Sequence, residues 1–258
     1  MNNIKFLSSE DAVSEVVDFV TILGLLVLSI GLIGMAGYPI VKNAQEANHI
    51  ENTEQSFIVL ANNVNKVVMG QAPSQNVELK MYGGSLSVTG NSSINITANS
   101  TNISTGNIER IVLVYDTKMR SIESTVGETV IAYEGTGVWI KHPNGNTTLV
   151  SKPLLNNQSN MLIIPVVTIV GSSSTAGFGM SRVSVIGVPS VTFYGNVSDI
   201  IVTINSSYSN GWSNYVNSNI LWNFCFSSGL PGECIEPLNK AKNIGVYILN
   251  IKLKTEVI

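Results

Sequence analysis

The chain has 258 residues, 44% of them hydrophobic and only 12% charged, against about 25% charged in an ordinary soluble protein. That length fits one domain, or one with an appendage, and its apolar share supplies a sizeable core, which argues against a repeat array or a wholly disordered chain. With 29 Asn, 30 Ser and 17 Thr the polar surface is mostly amide and hydroxyl, and a net charge of -3 with 14 thinly spread basic residues leaves no phosphate-binding face, which argues against nucleic acid as a partner.

Residues 19–41 form a run of 23 without one charge, 13 of them Phe, Val, Ile or Leu. At roughly -0.3 to -0.6 kcal/mol each on the insertion scale these offer about -4 to -8 kcal/mol, enough to outweigh Gly24, Gly31, Gly34, Gly37, Thr21, Ser29 and Pro39. As a helix the run is about 35 Å long, against a hydrocarbon core of about 30 Å, so it reads as one membrane-spanning helix with lipid as its partner. A buried core helix rarely runs this far without a polar face. A cleaved secretory signal needs a shorter apolar region of about 7 to 15 residues behind a basic segment. Here the preceding residues are acidic, Glu10, Asp11, Glu15 and Asp18 against a lone Lys5. Lys5 and Lys42 flank the run on opposite sides, which leaves the positive-inside rule nearly silent on orientation.

The stretch Ser9-Glu10-Asp11-Ala12-Val13-Ser14-Glu15-Val16-Val17, leading into an aliphatic segment and then a polar helix, resembles the N-terminus of archaeal type IV pilins and their pilin-like relatives. The likeness covers about the first 70 residues. It implies a short leader removed by a prepilin peptidase after Ala12, with Val13 as the mature N-terminus. It also implies a helix that first anchors the subunit with its N-terminus cytoplasmic and then packs in a filament core by self-association. By the same resemblance, Glu15 or Asp18 pairs with the new N-terminal amine of a neighbouring subunit. Charge alone gives them a simpler role, an acidic cap favoured by the helix dipole.

Residues 42–69 keep helical periodicity, with Ala47, Ile50, Phe57, Leu60, Ala61, Val64, Val67 and Val68 on one stripe and polar residues between. Gly70 is the expected stop, followed by Pro73. The helix is thus expected over residues 10–69, roughly 90 Å, with a kink at Pro39.

From residue 77 the period changes to two. Val77, Leu79 and Met81 alternate before Gly83-Gly84, and Leu86 and Val88 alternate after it, which reads as a hairpin with a two-residue turn. Further strands are expected at residues 108–115, 129–134, 138–141, 147–150, 161–170, 182–188, 191–194, 197–205 and 245–258, with a short helix within 208–224. Residues 91–107, almost all Asn, Ser and Thr, and residues 171–179 read as loops. Ile94, Ile96 and Ile103 leave the first of these open to an edge-strand reading. The sum is an α+β fold, a long N-terminal helix followed by an antiparallel, β-rich, sandwich-like domain wrapped on the outer half of that helix. Residues 1–12 form the leader, 13–70 the helix and 71–258 the extracellular domain.

Eight N-x-S/T sequons begin at Asn91, Asn95, Asn99, Asn102, Asn146, Asn157, Asn196 and Asn205, each a glycan acceptor if the domain lies outside the cell. Roughly five would arise by chance at this composition, but four of the eight crowd into residues 91–102. Cys225 and Cys234 bracket a Gly-Leu-Pro-Gly turn and suit a disulfide in an oxidising exterior, contributing about 2 to 3 kcal/mol. Free thiols are the alternative. A metal site fits poorly, since no His lies near and two thiolates do not complete a tetrahedron.

His49 and His142 read as solvated surface residues, and Glu128, Glu134 and Glu236 show no spacing that pairs carboxylates. Trp139, Trp212 and Trp222 could stack on sugars, although core packing is the simpler reading. The expectation is therefore a structural surface subunit, not an enzyme, with no cofactor and no metal. It is anchored in or extruded from the cell membrane and serves in a filament, with adhesion as a further role. A non-polymerising anchored surface protein is the alternative, and a stalk-held hydrolase the remote one.

Overall fold

The computed structural model describes residues 10–102, 104–158, 160–218, 224–227 and 244–258. The chain divides into two compact units, Met1–Asn48 and His49–Ile258, and helix α1 (Glu10–Val68) contributes to both. In the first unit α1 continues through Pro39 as helix, and every large apolar side chain over residues 16–41 is exposed.

In the second unit the remaining turns of α1 are core. Phe57, Leu60, Ala61, Val64, Val67 and Val68 recur at three- and four-residue spacing and are all fully buried, as expected of an amphipathic stripe. The helix ends where Gly70 takes φ +70, a left-handed conformation that costs glycine little. Its N–H donates to the Val67 carbonyl at 3.0 Å and that of Gln71 to the Lys66 carbonyl at 2.8 Å, so these two carbonyls of the last turn are satisfied.

The strands are β1 (Ser74–Thr89), β2 (Ser93–Thr101), β3 (Ile108–Lys118), β4 (Ser121–Val126), β5 (Thr129–Glu134), β6 (Gly137–Lys141) and β7 (Thr147–Ser151), then β8 (Asn156–Gln158), β9 (Met161–Val170), β10 (Ser174–Ile186), β11 (Ser190–Asn205), β12 (Phe224–Ser227) and β13 (Ile244–Val257). Helix α2 (Ser209–Ser218) lies between β11 and β12 in sequence. Among the described residues all 13 strands join one branched sheet in the order β3-β2-β11-β13-β10-β1-β4-β5-β6-β7, with β12 on β11, β9 on β13 and β8 on β9. Most ladders are antiparallel, as expected, but β9 with β13 and β11 with β12 run parallel.

Two hydrophobic clusters fill the domain. One gathers the α1 stripe with β1, β10 and the ends of β9 and β13 at Ile169 and Leu253. The other gathers α2 with β2, β3, β11 and the starts of β9 and β13 at Leu162 and Val246. The β5–β6 hairpin stands between them. Ile131, Tyr133, Val138 and Ile140 face the first cluster, whereas Ala132 and Trp139 face the second. Alternation along a strand sends successive side chains to opposite faces, so burial on both faces leaves this hairpin almost without exposed positions.

Several expectations need correction. Gly83-Gly84 is not a hairpin turn: β1 runs through it as one 16-residue strand, with a register shift between Tyr82 and Ser85 against β10. A Cβ on Gly84 would lie 1.6 Å from the Thr125 carbonyl oxygen, so the glycines make a bulge that lets β4 approach. Residues 93–101 are not loop but β2, an interior strand between β3 and β11 with Ile94, Ile96 and Ala98 buried. The second expected loop is strand from Ser174 onward, and the two short strands expected at residues 191–194 and 197–205 are one, β11, bulged where Asn196 and Asp199 take positive φ. Strand β4 arises where none was expected.

Candidate functional site

Two features stand out, one in each unit. In the first, the large apolar side chains of residues 16–41 range from 48% exposed at Leu23 to 82% at Met35, and this segment makes α1 long and apolar enough to cross a membrane. Ala12, Val13 and Glu15 lie on the first turns of α1, but their side chains fall outside the described residues. Asp18 is exposed on the same helix, just ahead of the apolar run.

The second feature is a polar clasp at the tip of the β5–β6 hairpin. The strands are joined by Gly135 and Thr136, with φ +56 and +71, and positive φ at both central residues is the pattern of a two-residue turn matched to strand twist. A β-branched residue is strained there, and three contacts hold Thr136. Its Oγ1 accepts from the Leu154 N–H at 2.8 Å and donates to the Gly135 carbonyl at 2.5 Å, while its own carbonyl accepts from Asn65 Nδ2 at 3.1 Å. Asn65 Oδ1 accepts from the Tyr133 hydroxyl at 2.8 Å, so one α1 side chain ties both the strand and the turn.

On the opposite face the period places Glu134 among the residues of the second cluster. It is 1% exposed, and its Oε1 accepts from Ser206 Oγ at 2.6 Å and from Trp212 Nε1 at 3.0 Å. Trp139 Nε1 donates to the Glu134 carbonyl at 3.1 Å, and the two indoles lie 4.6 Å apart. Gly135 permits the close approach of Trp212, because a Cβ there would come within 2.5 Å of its ring. Burial pushes the Glu134 carboxyl above the usual carboxylate range, opposed by the hydrogen bonds from Ser206 and Trp212 and by the nearby Ser92 hydroxyl, and reinforced by the negative charge of Glu123. Burial likewise raises the Tyr133, Tyr208 and Tyr215 phenols.

Trp139 and Trp212 are thus core residues, 0% and 2% exposed, not a sugar-stacking surface, while Trp222 lies outside the described residues. His49 stacks on Tyr82 at 4.4 Å, and His142 Nε2 pairs with Thr148 Oγ1 at 3.2 Å in the β6–β7 hairpin. Asn91, Asn146, Asn196 and Asn205 are exposed. The other described sequon side chains are half-buried and engaged. Asn95 Oδ1 accepts from the Asp116 N–H at 3.0 Å, Asn99 Nδ2 donates to Asp199 Oδ2 at 2.9 Å, and Asn102 Nδ2 donates to Glu109 Oε1 at 3.0 Å. Asn157 lies on β8 and Cys225 on β12, both with side chains outside the described residues, as is Cys234 altogether.

Sequence reading missed Glu134 as a site. The signal was the unbroken apolar run Val130-Ile131-Ala132-Tyr133 leading into it, which marks a strand buried on both faces and therefore a carboxylate with no route to water. A cavity of about 30 Å³ lies among Ile94, Met119, Gly135, Leu155, Ile164 and Trp212. An open depression of about 330 Å³ is lined by Asn156, Met161, Ile163, Tyr247 and Leu249. Neither lining holds a carboxylate or an imidazole.

Residues 12–226 match the family model described as "Family of unknown function (DUF7289)". No curated protein and no solved structure matches the chain.

Proposed function

The chain belongs to the DUF7289 family of unknown function, and we propose that it is a pilin-like structural subunit of the cell surface, held first in the bilayer and then in a filament by the apolar part of α1. The observation that carries this reading is the exposure of the whole apolar run. A helix with Leu26 52%, Ile33 71% and Met35 82% exposed has no cover among the described residues, and water is the wrong solvent for it. Lipid supplies that cover for a single copy, and the same segment of neighbouring copies supplies it after extraction. The bare backbone at Gly24, Gly31, Gly34 and Gly37, with open space around each, suits close helix approach in such a bundle.

In this reading the β-rich domain faces the exterior and the sequons and cysteines serve there.

N-terminal sequencing of protein recovered from shed filaments and from membranes tests the proposal. A start at Val13 in sheared surface material is expected. A chain that begins at Met1 wherever it is found, and that never leaves the membrane fraction on shearing, replaces the filament with a permanently anchored surface protein.

A further inference from the structure

Glu134 is placed as few carboxylates are. Its side chain is 1% exposed, and among the described residues the acid's electrostatic partners include no cation. The titratable groups that face it are Glu123 from β4 and Tyr208 from the segment ahead of α2, both acids, alongside the neutral side chains of Ser206, Ser92 and Trp212. An ionised carboxylate in such surroundings keeps its full desolvation cost, with a like charge nearby adding to it.

The hydrogen bonds agree with a neutral acid. Both donors converge on one oxygen: the Ser206 hydroxyl, whose own oxygen accepts from the Tyr208 N–H at 2.9 Å, and the Trp212 indole, which can only donate. That is the pattern of a carbonyl oxygen. Ser92 Oγ is buried beside the same carboxyl group and completes no hydrogen bond of its own, a vacancy that an acidic O–H can fill by donation. The elements joined here are the β5–β6 hairpin, which carries Glu134, and α2, which carries Trp212.

We propose that Glu134 is a proton-operated clasp: in the folded domain it is the neutral acid, accepting through Oε1 from Ser206 and Trp212 and donating through Oε2 to Ser92 Oγ, and loss of that proton frees α2 from the hairpin. Only a proton moves, from the carboxyl to solvent hydroxide, and the charge left behind has no partner until the α2 segment opens to water. Because the folded group binds its proton more tightly than the unfolded one, its contribution is complete below the ordinary glutamate value of about 4.3 and is lost as the pH climbs through the folded value.

The test uses the full-length chain in detergent micelles with the substitution Glu134→Gln. A glutamine places a carbonyl oxygen where Ser206 and Trp212 donate and an N–H where Ser92 accepts, so it reproduces the neutral acid and cannot ionise. The variant is expected to melt about 3 °C or more above wild type on the alkaline side and to lose the alkaline decline in stability. The near-ultraviolet circular dichroism of the Trp139–Trp212 pair is expected to fade with rising pH in the wild type and to persist in the variant. Infrared difference spectra between the two near neutral pH are expected to show one protonated-carboxyl C=O stretch, sensitive to deuteration. A variant less stable than wild type at neutral pH, with no such band, overturns the proposal and makes Glu134 an ionised acceptor. Should the variant not fold, the indole dichroism of the wild type decides: a signal unchanged up to global unfolding also overturns the clasp.

Discussion

The amide of Asn65 serves two groups of the hairpin at once, the Tyr133 phenol through Oδ1 and the Thr136 carbonyl through Nδ2. Tyr133 is fully buried, so Asn65→Ala strands a hydroxyl that water cannot reach and is expected to cost about 2 kcal/mol in urea unfolding. Adding Tyr133→Phe removes the stranded hydroxyl, so the double variant should lose clearly less than the two single losses combined. Strict additivity would mean that the hydrogen bond contributes nothing. A second expectation at this scale concerns the sequons. With the domain outside the cell, as proposed, glycopeptide mass spectrometry of the native chain should find sugar on Asn91, Asn146, Asn196 and Asn205. Asn99 and Asn102 should stay bare, because the amide nitrogen that would take the glycan is donated to Asp199 and Glu109. Sugar on Asn99 with Asn91 unmodified would contradict that ranking. The spacing of the sequons is plain in the sequence, but which amides are engaged is not, since Asn99 and Asp199 meet only across the β2–β11 ladder.

At the scale of elements, α1 carries two apolar stretches, one exposed and one buried, and the same substitution separates them. Leu60→Ala opens a cavity in the first cluster and should lower domain stability by roughly 3 kcal/mol, whereas Leu26→Ala, at a position 52% exposed, should leave domain unfolding within about 0.5 kcal/mol of wild type. Equal losses at the two positions would show that the run is packed against protein. Local pattern made α1, β5 and β9 legible, because their apolar runs and glycine or turn boundaries are written in adjacent residues. It failed where partners lie far along the chain. β2 reads as a polar loop until Ile94, Ile96 and Ala98 are seen to fill the cluster beside β11, and Gly83-Gly84 reads as a turn until β10, about 95 residues later, supplies the pairing strand. β4 hid because Ser121 and Ser124 take buried positions that a hydrophobic pattern assigns to larger residues.

For the molecule as a whole, the deciding quantity is the free energy that the apolar run offers to a nonaqueous partner. Thirteen Phe, Val, Ile and Leu residues supply about -4 to -8 kcal/mol on the insertion scale, and each Lys near the centre of a span costs about +2.5 to +3.5 kcal/mol. Leu26→Lys with Ile30→Lys places two cations one turn apart at positions 52% and 61% exposed, a penalty of roughly 6 to 8 kcal/mol that cancels the favourable sum. The double variant should therefore fail to float with lipid vesicles and should be released by alkaline carbonate, where the wild type stays with the membrane. Melting of the β-rich domain should be unchanged, since its clusters contain neither residue. The matched change Leu26→Phe with Ile30→Val keeps the run apolar and should leave flotation intact. If the dilysine chain still partitions with lipid, the run is not what holds the protein there, and the bilayer stage of the proposed function falls with it.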